Sequence, residues 1–332
     1  MADRKIRIFI NGFGRIGRTL LRIIAAGGRH QDIEIVGIND IEPLATCAYL
    51  FQYDSVFGPY PGKVEWRDGV LEVDGLTIPF HGVADLRDLD LGSVDLVLEC
   101  TGMAGARAVA ERGLAAGAGA VLISGPSDEA DITIVKGANE HELTDQRIVS
   151  NASCTTNALA PLLKLLDDAF SVDSGHMTTV HCYTGSQPTI DKPRGDLARS
   201  RAAALSMVPT TTSAQRLVGK VLPHLKGRIE ARAIRVPTAS VSAIDLTVHT
   251  RNPATVEAAN AVLKQAADGH LIGWTEQPLV STDLRARPES IVLSGLETSL
   301  SVGGLLRVFG WYDNEWGFST RMLDMARLMG RR

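Results

Sequence analysis

Several features that would assign a protein's class outright are missing from this sequence. No apolar run approaches the ~18 residues of a membrane span, and the opening stretch MADRKIRIFING passes from polar residues into a strand-like segment without the hydrophobic core of a secretory signal. The expectation is a cytoplasmic chain with no membrane partner. Charge of one sign is not in excess: 34 basic against 38 acidic residues leave a net charge of -4. That balance excludes a general attraction to nucleic acid, while local cationic sites for a small anion remain available. Cysteine is scarce. Cys47, Cys100, Cys154 and Cys182 form no CxxC pair, so neither a disulfide scaffold nor a metal site is expected, and each thiol reads first as a small buried hydrophobe. Repeats and low-complexity linkers are also lacking. With 332 residues, 45% of them hydrophobic, there is material for two ordinary domains.

What is present begins with KIRIFINGFGRIGRTLLRIIAAGG: an apolar strand, a glycine turn, and a helix whose Ile16, Leu20, Ile23 and Ile24 share a face before Gly27 and Gly28 end it. IEIVGIND (33–40), VDLVLECTG (94–102) and AVLIS (120–124) read as further buried strands, with a helix over ARAVAERGLAAGA. Strands alternating with helices predict an open parallel sheet. Between them, segment 59–90 has the short alternating runs and Asp-Gly pairs of β-hairpins, read as an insertion on that sheet. Beyond Cys154 the rhythm becomes α+β. SAIDLTVHT places Ile244, Leu246 and Val248 opposite Asp245, Thr247 and His249, the period of a half-exposed antiparallel strand. NPATVEAANAVLKQAADG reads as a helix with a proline start and a glycine stop, and EWGFSTRMLDMARLMG as a closing helix.

Gly12, Gly14 and Gly17 form G-x-G-x-x-G between the first strand and its helix, where glycines let a pyrophosphate approach the helix N-terminus. Asp40 ends the next strand, near the ~20-residue separation expected of an acid that binds an adenosine ribose hydroxyl. Together they predict a dinucleotide site, and the acid favours NAD over NADP by repelling a 2′-phosphate.

In NASCTTNALAPLLKL, Cys154 lies one or two residues before a helix predicted to start near Thr155 to Ala158, a placement that lowers a thiol pKa. The stretch leaves two readings open: an activated nucleophile, or a Ser/Thr cap with a bystander thiol. His181 ends an apolar strand before a glycine-containing loop, as a base facing a cleft or as a structural histidine, and Cys182 beside it points to the opposite face. Arg235 alternates with Ile234 and Val236 and is placed to reach an anion or an ion-pair partner. Arg199 and Arg201, with Thr210 to Ser213, offer a second anion pocket or a charged loop beside a hydroxyl-rich turn.

INGFGRIGR, IND, ECTG, SNASCTTN, HCYTGSQ, IRVPT and WYDNEWGFSTRMLDM stand in an order that resembles the phosphorylating glyceraldehyde-3-phosphate dehydrogenase family over essentially the whole chain. The resemblance implies a Rossmann-type NAD-binding domain (1–152 with 316–332) and an α+β catalytic domain with a mainly antiparallel sheet (153–315). It implies Cys154 as nucleophile and His181 as base, with hydride passing to NAD and the thioester released by phosphate. It implies Thr184 and Arg235 for the substrate's phosphate, Ser153, Thr155, Thr212 and Ser213 for inorganic phosphate, and Arg199 between the two. For the cofactor it implies Gly12, Phe13, Gly14, Arg15, Ile16, Asp40, Thr101, Ser124 and Asn314. A homotetramer follows from the loop at about 183–206.

The chain also departs from the family pattern. Ser213 replaces a common glycine in the inorganic-phosphate loop, Lys192 a usual apolar residue near the ribose, and Ala158 a second cysteine, while segment 59–90 lacks the usual arginine-containing turn. An erythrose-4-phosphate dehydrogenase and a non-catalytic NAD-binding regulator are the competing readings. Against the first stands Thr184, often lost in that subgroup, and against the second the retained thiol and base.

Overall fold

The computed structural model describes residues 4–331; residues 1–3 and 332, the ends of the expected first domain, lie outside the described residues. Two compact units emerge. The first comprises residues 1–134, 141–152 and 319–332, the second residues 135–140 and 153–318. The expected division differs in two places: segment 135–140 goes with the second unit, as do the first residues of the closing helix.

The first unit is built on strands β1 (Ile6–Asn11), β2 (Ile33–Asn39), β3 (Val64–Arg67), β4 (Val70–Val73), β5 (Leu76–His81), β6 (Leu96–Glu99), β7 (Ala120–Ile123), β8 (Ile132–Thr133) and β9 (Ile148–Ser150). Among the described residues they form one sheet in the order β8-β9-β7-β6-β1-β2-β5-β4-β3. All pairs are parallel except β3–β4 and β4–β5. The hairpin segment thus extends the sheet at its edge. Near-continuous apolar runs such as Leu96–Leu98 are fully buried, as befits strands covered on both faces.

The order reverses around β1, which lies between β2 and β6, and a crevice opens at the carboxyl ends of these strands. Their last residues are polar and buried: Asn11 stands in register with Asn39 on one side and Glu99 on the other. Asn11 Nδ2 donates to the Glu99 carboxylate at 2.5 Å, and Asn39 Nδ2 donates to Asn11 Oδ1 at 2.8 Å. This chain of bonds holds three strand ends level. Helix α1 (Arg15–Ala25) then starts directly after the glycine turn, with Gly14 at its N-cap.

The second unit contains the helices α4 (Cys154–Phe170), α5 (Ala214–Val221) and α6 (Val256–Gln265), which follow α2 (Leu44–Gln52) and α3 (Arg107–Ala115) of the first. Its strands are β10 (Val172–Cys182), β11 (Val208–Thr210), β12 (Ile229–Val236), β13 (Ser242–Thr250), β14 (Ile272–Thr275), β15 (Ile291–Ser294), β16 (Ser299–Leu300) and β17 (Leu305–Tyr312). The sheet order is β11-β12-β10-β13-β17-β15-β14, with β16 on β17. It is antiparallel except at β10–β12 and β14–β15. Along β13, Ile244, Leu246 and Val248 are buried while His249 is exposed, the alternation read from the sequence. Helix α6 starts differently from the expectation: Thr255, not the proline, caps it, its hydroxyl accepting from Ala258 N at 3.1 Å. A hydroxyl satisfies one of the free amides at a helix start, which proline cannot do. Helix α7 (Trp316–Gly330) is anchored within the first unit by Arg327, whose Nε lies 2.8 Å from Asp32 Oδ2.

The glycine turn gives the first prediction. A Cβ at Gly17 would lie 2.2 Å from the Gly12 carbonyl oxygen, whereas at Gly14 it would meet nothing within 4 Å. Gly17→Ala is therefore expected to cost about 1–3 kcal/mol in urea unfolding, and Gly14→Ala less than about 1 kcal/mol. Equal losses would contradict the crowding described.

Candidate active site

Helix α4 begins at Cys154 itself, one residue earlier than expected, because Ser153 supplies the cap: its Oγ accepts from Thr156 N at 3.1 Å and lies 2.7 Å from Thr156 Oγ1. The thiol therefore stands on the first helical residue, beside amides with no intrahelical acceptor. β10 and β12 are parallel and in register, with His181 opposite Arg235, so these two side chains emerge on the same face. The fold thereby brings together three residues widely separated in sequence. Cys154 Sγ lies 3.6 Å from His181 Nε2, and Arg235 Nη1 lies 2.9 Å from His181 Nδ1.

The electrostatics correct one expectation. Burial pushes the Cys154 thiol above its ordinary pKa, and Arg235 and the Thr155 amide oppose this without reversing it. Withdrawal from water outweighs the helix start. His181 is held down to about 3, first by burial and then by the Arg235 charge, so the imidazole is neutral at physiological pH. A neutral imidazole beside a protonated thiol is the resting pair from which a base can take a proton.

Tyr312, inside the quoted WYDNEWGFSTRMLDM but given no role there, ties this constellation together. Its hydroxyl lies 2.9 Å from Thr155 Oγ1 on α4 and 2.8 Å from Thr179 Oγ1 on β10, and its ring stands edge-on to His181. Thr155, expected at inorganic phosphate, is buried with its hydroxyl against this tyrosine. Cys182 is buried, as expected of a packing residue, and its Sγ–H also donates to Asn314 Oδ1 at 3.0 Å. That contact orients the amide and leaves its nitrogen for another partner.

Arg199 and Arg201 do not act as a pair. Arg201 turns to Asp191, its Nε 2.8 Å from the carboxylate, while Arg199 Nη2 donates to Thr211 Oγ1 at 2.9 Å. A cavity of about 680 Å³ is lined by Arg199, Thr212, Ser213, Arg216 and Lys226, without an acidic side chain. The Thr212 hydroxyl accepts from Ala214 N at 3.2 Å at the start of α5. Thr184 lies two residues beyond β10, its hydroxyl 2.9 Å from Ser186 Oγ.

The first unit has its own cavity of about 340 Å³, lined by Gly12, Gly14, Asp40, Ile41, Cys100 and Thr101 among others. The chain fits a dinucleotide here. Gly12 has a φ of +93°, and a Cβ on it would strike the Cys100–Thr101 peptide at 2.7 Å, whereas Gly14 faces open space. Asp40 accepts from Phe13 N at 2.6 Å, and the Phe13 ring is buried against Phe51 and Phe80. The Arg15 side chain pairs with Asp54, so its backbone amide, together with that of Ile16, is what α1 offers an anion. Glu99, quoted in ECTG but given no role there, accepts from Thr101 N at 3.0 Å and from its hydroxyl. Ser124 N donates to the Glu99 carbonyl at 3.0 Å. Burial raises the Glu99 carboxyl, and the bonds from Thr101 and Asn11 offset it in part.

Comparisons with known proteins follow the same division. The family description "Glyceraldehyde 3-phosphate dehydrogenase, NAD binding domain" matches residues 6–107, and its C-terminal domain residues 153–314. A glyceraldehyde-3-phosphate dehydrogenase of Xanthobacter flavus is 48% identical, covering 98% of this chain and 99% of its own. The enzyme of that name from Cereibacter sphaeroides is also 48% identical with the same coverage. A Pseudomonas aeruginosa counterpart is 45% identical over 97% of both chains.

The buried hydroxyl triad yields a prediction. Tyr312→Phe leaves the Thr155 and Thr179 hydroxyls without their partner and is expected to cost about 1–3 kcal/mol in urea unfolding. Thr155→Val added to it should cost less than the two single losses summed, because both break one network. Strict additivity would contradict the shared tie.

Proposed function

The chain belongs to the glyceraldehyde 3-phosphate dehydrogenase family, and we propose on that premise that it oxidises D-glyceraldehyde 3-phosphate to 1,3-bisphosphoglycerate through a thioester on Cys154. It is an NAD-dependent oxidoreductase. The observation that carries the mechanism is the 3.6 Å approach of Cys154 Sγ to His181 Nε2.

In this reading, His181 Nε2 takes the thiol proton and the thiolate attacks the aldehyde carbon, giving a thiohemiacetal. The Cys154 backbone N–H and the protonated imidazole stabilise its oxyanion. The imidazolium gives its proton to the oxyanion, and the neutral His181 takes that proton back as the carbon is oxidised; NAD would supply the hydride acceptor. Inorganic phosphate attacks the resulting thioester, and the thiolate leaves. Arg235 and Thr184 hold the substrate's own phosphate. Ser153, Thr155, Thr212 and Ser213 hold the attacking phosphate, with Arg199 between the two anions. The tie to Tyr312 fixes the Thr155 hydroxyl. Residues 1–152 with 316–332 carry the cofactor and 153–315 the chemistry: Gly12, Gly14 and the amides of Arg15 and Ile16 receive the pyrophosphate, Phe13 holds Asp40 through its amide, Asp40 receives the ribose, and Thr101 and Ser124 line the site. Asn314 takes the nicotinamide carboxamide.

Assembly and location extend the same reading. A homotetramer is supported by the segment at about 183–206, where Ile190, Leu197 and Leu205 are exposed and apolar. Four unbridged cysteines, one of them the nucleophile, suit the reducing cytoplasm. No helix among the described residues is long and apolar enough to cross a membrane.

Steady-state turnover tests the proposal. With D-glyceraldehyde 3-phosphate, NAD and phosphate, Cys154→Ser is expected to abolish activity and His181→Asn to lower kcat by about 10²–10⁴-fold. Asp40→Ser should raise the kcat/KM for NADP relative to NAD. A parent inactive on this aldehyde would overturn the assignment, and higher kcat/KM on erythrose 4-phosphate would move it to the four-carbon substrate. Undiminished turnover without phosphate would remove the phosphorolysis step.

A further inference from the structure

The cavity of about 680 Å³ beside helix α5 has the size of a small-molecule pocket, more than one inorganic phosphate fills. Three cationic side chains line it, Arg199, Arg216 and Lys226, and no carboxylate does. Each comes from a different segment. Arg199 stands in the loop before β11, its Nε donating to Thr210 Oγ1 at 2.5 Å and its Nη2 to Thr211 Oγ1 at 2.9 Å. These neutral partners orient the guanidinium without cancelling its charge; the Asp196 carboxylate, 3.9 Å from Nε, lies outside the lining. Arg216 is on the first turn of α5, and Gly219 follows it three positions on, so the two share a face. Lys226 ends the turn Pro223–Leu225 that follows the helix.

Gly219 explains how Lys226 reaches this face. A Cβ at Gly219 would lie 3.0 Å from Lys226 Cγ and 3.3 Å from Lys226 Cβ, so the missing side chain lets the lysine stem lie across the helix. The Lys226 side chain is exposed and, among the described residues, its ammonium pairs with no carboxylate. Two hydroxyls complete the lining. Thr212 Oγ1 accepts from Ala214 N, which leaves its own proton to donate, and Ser213, where the family commonly has glycine, makes no cap bond to the helix it precedes. From Ser213 to Gly219 the helix rises by about 9 Å. One tetrahedral anion does not touch both ends of that span, whereas a chain of phosphoryl groups does. A concave surface lined by one sign of charge concentrates the opposite ion, and arginine and lysine are the side chains suited to phosphate oxygens.

From this geometry we propose that the cavity is a binding site for a linear oligophosphate, free or as the tail of a nucleotide. Lys226 holds one end, the Thr212 and Ser213 hydroxyls with Arg199 hold the other, and Arg216 stands between them along α5. An occupied site then excludes inorganic phosphate and slows release of the acyl group. That consequence rests on the reading of Thr212 and Ser213 as ligands of the attacking phosphate; the site itself does not.

The test uses the full chain saturated with NAD, sodium tripolyphosphate as the probe, and sulfate at equal ionic strength as the control. In steady-state turnover tripolyphosphate is expected to compete with inorganic phosphate, raising its KM without lowering kcat, with an inhibition constant at least about tenfold below that of sulfate. Lys226→Gln should raise that constant about 3–10-fold and leave kcat and the KM for phosphate within about twofold of the parent, while Lys226→Arg should retain the parent's constant. Because Lys226 is exposed, neither change disturbs the core. Equal inhibition by sulfate, or a constant unmoved in Lys226→Gln, overturns the site, as does a Lys226→Arg that behaves like Lys226→Gln. Calorimetric titration of tripolyphosphate separates the site from the reading of the attacking phosphate. Binding that weakens in Lys226→Gln but does not compete with phosphate keeps the oligophosphate site and removes Thr212 and Ser213 from the attacking phosphate. ATP in the same titration distinguishes the sources: Lys226-dependent binding tighter than that of tripolyphosphate assigns a nucleotide tail, and weaker or Lys226-independent binding assigns the free chain.

Discussion

The separation between the Cys154 sulfur and the His181 ring depends on one buried hydroxyl. Tyr312 OH bonds to Thr155 on the helix that carries the thiol and to Thr179 on the strand that carries the imidazole. Thr179 and His181 are two residues apart on one strand and share a face, so fixing one fixes the other. An unmade hydrogen bond at any of these buried hydroxyls would cost more than the bond itself contributes, which makes the arrangement hard to distort. Burial that rigidifies the pair also keeps the thiol protonated and the imidazole neutral.

The same device recurs at the glycine turn. Asn11, Asn39 and Glu99 end three adjacent strands and bond to one another out of water, so that the backbone above them is held at one height. Glu99 carries this order forward to Thr101. In both units, then, the chemistry-bearing groups stand at strand ends or helix starts, and buried polar contacts one layer below hold them. A protein interior accepts such groups only when they are fully partnered, and the partnering is what confers position.

Much of this was legible in the residues. Period-2 alternation located β13, near-continuous apolar runs located the parallel strands, and glycines followed by Asp40 located the dinucleotide crevice. The thiol, the histidine and the arginine were identifiable as chemistry, and the register of β10 with β12 is what places Arg235 beside His181. The rest depended on three-dimensional partners that no local pattern encodes. The tie of Thr155 to Tyr312 spans 157 positions and leaves no local trace. The thiol's upward shift follows from burial by distant segments, which the helix start alone does not reveal. Arg201 and Arg199 are equivalent in sequence and diverge because Asp191 takes one and the Thr210–Thr211 hydroxyls the other. The proline before α6 suggested a start that the Thr255 hydroxyl supplies instead.

The central claim is that Cys154 carries the substrate's acyl group between oxidation and phosphorolysis. Intact mass spectrometry after mixing the protein with D-glyceraldehyde 3-phosphate and NAD, without phosphate, tests it most directly. The account predicts a phosphoglyceroyl adduct located at Cys154, absent in Cys154→Ser and discharged on adding phosphate. An unmodified Cys154 after NADH has formed under these conditions would contradict it.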